Sequence, residues 1–200
     1  MTMMNRASDQ VAARRRDQDW KAVSGAPGQA GADGQHRLPD QLAPDLRLVF
    51  VGTAASAWSA ATGHYYAHPG NRFWRTLHAT GLTPRLYQPH EFPELMKLGI
   101  GFTDLCKHGA GMDHVALQAG VDVDAFTAKM RRYRPRTVAF TSKKAASLFY
   151  SRPTTRITLG RQPLRDDALD IFVLASPSGA ASGAWTLAPW LELAAHVAGP

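Results

Sequence analysis

The chain has 200 residues, 44% of them hydrophobic, a single cysteine and a formal charge of +7. That length suits one ordinary domain with a tail. Cys106 alone excludes an intrachain disulfide framework and a cysteine zinc cluster, and no apolar run approaches membrane-spanning length. Residues 1–45 balance six basic against six acidic side chains, so the excess lies on residues 46–200, where seventeen oppose ten. Such a basic body suits a polyanion such as nucleic acid, although a merely soluble basic domain would carry the same charge.

Residues 1–45 hold few large apolar side chains, and SGAPGQAGADGQ within them cannot bury enough surface to offset its ordering entropy. The stretch reads as a flexible N-terminal tail, with a short helix possible over Val11 to Trp20. The first residues, MTMMNRASDQVAARRR, lack the apolar core of a secretory leader, so an intracellular protein is expected, in the cytoplasm or, in a bacterium, with the nucleoid. From residue 46 the texture changes. LRLVFVG (46–52) is a β-branched, apolar run ended by glycine, as in a strand buried on both faces. A loop over 53–70 follows, and Pro69 precedes a helix over 70–80 that stops at Gly81. A short helix near 91–97 leads into the strand IGFTDL (100–105). VDVDAFTAKMRRYR (121–134) reads as a helix with acids in its first turn and bases in its last, matched to the helix dipole. TVAFTS (137–142) is a third strand, KKAASLFY a helix, DIFVLAS (170–176) a fourth strand and WTLAPWLELAAHV a closing helix.

Strands alternating with helices predict an α/β fold: a three-layer αβα sandwich around a short, mostly parallel four-stranded sheet over residues 46–200. In such a sheet the ligand site lies beyond the carboxyl ends of the strands. Four loops therefore share one face: 53–70, 104–120, 142–145 and 176–184. The first has neither the Gly-x-Gly-x-x-Gly spacing nor the Gly-Lys-Ser/Thr ending of a phosphate cradle. It offers instead Ala54, Ala55, Ser56 and Ala57, which let backbone approach a flat ligand. Tyr65 and Tyr66 could stack on one, or could simply pack locally.

The run GHYYAHPGNRFW, together with KLGIGFTDL (97–105), YRPRTVAFTSK (133–143), GRQP and SPSGAAS (176–182), resembles the mismatch-specific uracil/thymine-DNA glycosylase branch of the uracil-DNA glycosylase superfamily. The matches run in order from about Leu46 to the C-terminus. The resemblance implies a monofunctional enzyme of base excision repair that flips uracil, or another damaged pyrimidine, out of DNA and hydrolyses its N-glycosidic bond. Flipping costs a few kcal/mol, least at mispaired or unpaired bases. It also implies action as a monomer on DNA, with no cofactor, no metal and no membrane partner. Carried over by position, Tyr66 stacks on the flipped base, while Gly52, Thr53, Ala54, Ala55 and Ser176 line its pocket. His68 either contacts substrate or ties down the loop, and Asn71 stands beside it in the pocket.

Two departures matter. The family's first motif, Gly-Ile-Asn-Pro-Gly, uses its asparagine to position the attacking water, and Ala54 stands at that place here. A methyl cannot orient water. Asp104, at the carboxyl end of the second strand, is the leading replacement, against the reading that it merely braces its loop. Ser56 comes second, and Lys107 would matter only for a Schiff-base step. In the last loop, Ala180, Ala181 and Ser182 replace the larger wedge of the family. The backbone of Ser178 and Gly179 can still grip phosphate, and Lys143 and Lys144 open a helix that can hold a second. The run Lys129 to Arg136 reads as either DNA contact or a solvated helix end. The competing function is a catalytically weak protein that binds DNA or abasic sites. A nucleotide enzyme is disfavoured by the missing phosphate loop.

Overall fold

The computed structural model describes residues 38–107, 121–163 and 169–199. Its frame is a mixed sheet of five strands: β1 (Leu48–Gly52), β2 (Ile100–Asp104), β3 (Thr137–Phe140), β4 (Gly160–Arg161) and β5 (Asp170–Val173). They lie in the order β2-β1-β3-β5-β4, parallel throughout except for antiparallel β4. The expected four strands are all present, each ending within a few residues of its predicted limit. The fifth, β4, was not anticipated. Two residues carry no periodicity, and what holds this edge is tertiary: the Glu192 carboxylate accepts from the Arg161 N–H at 3.2 Å.

Period-two alternation divides the strand side chains between two cores. Leu48 and Phe50 of β1, with Phe102, Ala139 and Phe172, face one layer, where Phe73, Trp74 and Leu77 of α2 (Phe73–Ala79) meet Trp190 and Leu193 of α5 (Ala188–Val197). Val49 and Val51, with Val138, Phe140, Ile171 and Val173, face the other. There α3 (Val123–Tyr133) contributes Phe126 and Met130, and α4 (Lys143–Tyr150) contributes Ala145 and Ala146. Both α3 and α4 begin with side-chain caps, Asp122 accepting from Ala125 N–H at 2.7 Å and Ser142 from Ala145 N–H at 3.0 Å.

Three features revise the sequence-based reading. The loop 53–70 contains a short helix, α1 (Ala57–Thr62), capped by Ser56 and closed by left-handed Gly63. The segment near 91–97 is a 3-10 helix, Pro89–Leu98, opened by a Gln88–Glu91 capping box. Finally, residues 38–45, expected within the tail, pack on the body: Leu38 is 2% exposed, and Gln41 exchanges both backbone hydrogen bonds with Phe102. The rest of the tail and most of the loop 104–120 lie outside the described residues. Among the described residues no helix is long and apolar enough to cross a membrane.

Candidate active site

A cleft of about 590 Å³ opens at the carboxyl ends of β1, β2 and β3. The sheet order puts a topological switch there, because the chain leaves β1 for β2 on one side and then crosses to β3 on the other. Gly52 and Asp104, the last residues of β1 and β2, are register partners. A Cβ built on Gly52 would overlap the Asp104 Oδ1 atom, so glycine is needed for the carboxylate to sit across the strand end. Asp104 lines the cleft and is only 6% exposed. Burial pushes its carboxyl up to about pH 6, and the Asp40 charge adds to that rise. Lys107 and Lys129 pull the other way.

Tyr66 faces the same space, half-buried. Its backbone is left-handed at φ 52°, a conformation costing a β-carbon residue on the order of 1 kcal/mol or more. Contacts on two sides hold the ring in it. Tyr66 stacks on the buried Phe73 with centroids 3.8 Å apart and 14° between planes. Its hydroxyl donates to Thr141 Oγ1 at 3.2 Å, and Thr141 in turn donates to Val51 O. Burial and the nearby Asp104 raise the phenol above its ordinary value, so it stays a neutral donor. The result is a fixed aromatic plate at the cleft wall.

The remaining expected residues divide by position. Thr53, Ala54 and Ala55 line the cleft, as do Asn71 and Ser176. Asn71 Oδ1 accepts from Phe73 N–H at 2.9 Å, which fixes its amide at the start of α2. Ser56 also lines the cleft, but its hydroxyl donates to Ser59 Oγ and accepts from Ser59 N–H, both at 3.0 Å. It is committed to capping α1 and is poorly suited to activating water. Lys144, Ser178, Ala180 and Ala181 line the rim, while Lys143 and Gly179 are exposed and are not among the lining residues. Ser182 lies in the 3-10 helix Gly179–Ala184, and its side chain is outside the described set.

Of the two readings of His68, its contacts match the one that ties down the loop, not the place in the base pocket. It is exposed and absent from the cleft lining. Its Nδ1 accepts from Gly70 N–H at 3.0 Å, and its ring meets Trp58 edge-on, so it ties down the loop. Tyr65 follows the packing alternative: it is 2% exposed and stacked on Phe102 in the core, with one edge in the cleft lining. Lys107 is pinned by Asp40 at 2.7 Å, Leu38 O at 3.0 Å and the Tyr65 hydroxyl at 3.3 Å, which leaves it no approach as a Schiff-base nucleophile.

Asp40, Thr141 and Arg72 were not foreseen. Thr141 follows β3 directly, where the carboxyl-end rule could have found it. Arg72 joins two loops that are remote in sequence, its N–H donating to Pro177 O at 2.8 Å and its guanidinium lying over Trp185. Asp40 sits in a stretch that reads as tail and has no local signal.

The architecture is a mostly parallel sheet between helix layers, with a switch-point cleft that holds an aromatic plate and a buried carboxylate at the strand ends. The chain belongs to the uracil DNA glycosylase superfamily, whose family description matches residues 39–194. Its fold is similar to the solution structure of a provisionally assigned uracil DNA glycosylase from Methanosarcina acetivorans. The two share 20% identity and a TM-score of 0.56 over 82% of this chain and 98% of the other. Superfamily membership supports DNA glycosylase activity in general, with DNA as the partner.

Proposed function

We propose that the protein is a monofunctional DNA glycosylase that takes an extruded uracil into the cleft and hydrolyses its N-glycosidic bond. The observation that carries this reading is the buried Asp104 carboxylate, seated against Gly52 and facing the cleft that Tyr66 lines. With its carboxyl raised to about 6, Asp104 is mostly ionised at neutral pH yet basic enough to take a proton. In the proposed step, Asp104 holds a water below the sugar. The water oxygen bonds to C1′, the C1′–N bond breaks with its electron pair leaving on the pyrimidine, and the water proton passes to Asp104. The carboxylate charge also offsets the positive charge that develops on the sugar.

In this reading Tyr66 stacks on the base, the backbone over Thr53 to Ser56 follows its edge, and the amide NH2 of Asn71 offers it donors. Lys144 and the backbone near Ser178 take flanking phosphates. Preference for mispaired uracil, the finer resemblance in the sequence, belongs to the same proposal. The test is purified full-length chain incubated with uracil-containing oligonucleotides, followed by alkali to cut abasic sites. Asp104→Asn should lower the single-turnover rate by about 10²-fold or more, with little change in binding to an abasic duplex. An Asn variant within threefold of wild type would remove Asp104 from the chemistry.

Ala54, at the position where the resemblance calls for a water-holding asparagine, favours one second reading: a protein that grips damaged or abasic DNA without cutting it. Tight abasic-duplex binding with no alkali-labile product from any uracil substrate would establish that alternative.

A further inference from the structure

Near the cleft, three side chains from separate parts of the chain converge on one acidic group. Asp40, from the segment before β1, accepts from Thr103 of β2 at 2.6 Å. It pairs with Lys107 beyond β2 at 2.7 Å and with Lys129 of α3 at 2.6 Å. Lys107 is itself 8% exposed and also donates to Leu38 O and the Tyr65 hydroxyl. A buried carboxylate, Asp104, and a half-buried one, Asp40, thus flank a single buried ammonium, which sits on Asp40. Among the described residues no cation or hydrogen-bond donor is within bonding distance of the Asp104 carboxylate.

We propose that Asp40 is a positioning residue that holds the Lys107 ammonium away from Asp104, so that the carboxylate in the cleft stays unpaired and able to bind water. The inference rests on the reading of Asp104 as the water-holding group. Its physical basis is competition for one charge in a medium of low polarity. A buried ammonium that loses one carboxylate turns to the next nearest, because leaving it unpaired costs several kcal/mol. Once paired, Asp104 would be a weaker base, and the ammonium would occupy the water's place. The groups acting on Asp104 fit this arrangement. Burial and Asp40 disfavour its charge, Lys107 and Lys129 favour it, and the two tyrosines at the site, 65 and 66, stay neutral. Asp40 itself is held below the usual carboxylate range, since Lys107 and the hydrogen bonds from Lys107, Lys129 and Thr103 outweigh its burial.

The test is a double-mutant cycle on the full chain, read by single-turnover uracil excision across pH and by NMR titration of the Asp104 carboxyl. Asp40→Asn should cut the plateau rate at least about tenfold and move both the acid limb and the Asp104 titration to lower pH. Lys107→Met alone should stay near the wild-type rate, because Lys129 and Thr103 still hold Asp40. Adding Lys107→Met to Asp40→Asn should return the rate to within about threefold of wild type and raise the titration again. A brace that merely supports the fold predicts the opposite: losing both partners repairs neither rate nor titration. Thermal melts of each variant identify loss through unfolding, and the titration of the folded fraction then decides. Asp40→Asn with an unmoved Asp104 titration overturns the proposal, as does a double variant no faster than Asp40→Asn. An active Asp104→Asn enzyme would instead overturn the reading of the site, with the titration still reporting on Asp40.

Discussion

Burying a carboxylate near a second one costs stability, and at Asp104 the size of that cost can be argued. Its folded-state carboxyl titrates near 6 against an ordinary value of 3.8. The folded protein therefore holds that proton more tightly than the unfolded chain does. Stability falls as pH rises through that window and stays reduced above it. A shift of this size corresponds to about 3 kcal/mol, with little solvent discount for a side chain this buried. Asp104→Asn is accordingly expected to melt higher than wild type at pH 8, while losing excision. Near pH 3.5 the two should melt alike. Equal melting curves at pH 8 would show that Asp104 is not penalised by burial. Gly52 makes the complementary case. Because a Cβ there overlaps Oδ1, Gly52→Ala must push the carboxylate off its seat, at a typical overpacking cost of about 1–3 kcal/mol. Excision should drop about 10²-fold in protein that remains folded, and a wild-type rate in Gly52→Ala would break the link between seat and chemistry. Asp104 could be read in the sequence because the strand IGFTD ends on it. Asp40 could not, since its only credentials are contacts with residues more than sixty positions away.

The elements were legible where one pattern decided them. LVFVG is buried at every position and could hardly be anything but a central strand, and KKAASLFY forms its helix over the predicted residues. Where tertiary contacts decide, local pattern was silent. The edge strand β4 is two residues long and depends on Glu192 of α5. Helix α1 hides in a run of alanines and serines, although Ser56 and Gly63 bracket it with the usual cap residues. The 3-10 turn Gly179–Ala184 has no apolar face to announce it. In the proposed reading, that last element is the one that would retain an extruded base. It is tied to the start of α2 through Arg72, whose N–H bonds Pro177 O and whose guanidinium reaches Ser178 O at 3.5 Å. Among its described side chains, Ala180 and Ala181 are the ones that line the cleft. Methyl groups fill a vacated base stack poorly, so extrusion from a well-paired duplex receives little support. Excision should be faster from single strands and from U:G pairs than from U:A pairs. Ala180→Leu should narrow that gap by raising the duplex rate. Equal wild-type rates on U:A duplex and single strands would mean that another element supplies the wedge.

On the scale of the molecule, positive charge lies at both ends of the sheet, and the topology says which end can meet substrate. Parallel β1 and β3 point their carboxyl ends at the cleft, and Lys144 lines it from the start of α4. The chain of α3 runs the other way. Its basic end reaches the amino ends of the strands, where Arg136 N–H donates to Leu46 O and Tyr133 O accepts from Asp45 N–H. Exposed Arg131, Arg132, Arg134 and Arg136 therefore sit at the far end from Gly52 and Asp104. With a duplex seated over the cleft, Lys144 would displace a counterion from a DNA phosphate, and the arginine run would stay in water. Each phosphate contact contributes close to one unit to the slope of log affinity against log salt. Lys144→Ala should weaken binding to an abasic duplex and reduce that slope by about one. Replacing Arg134 and Arg136 with alanine should leave the slope unchanged, apart from a small effect of overall charge. If the arginine pair carries the slope and Lys144 does not, the duplex lies across the amino ends of the strands. The assignment of substrate to the cleft would then fail.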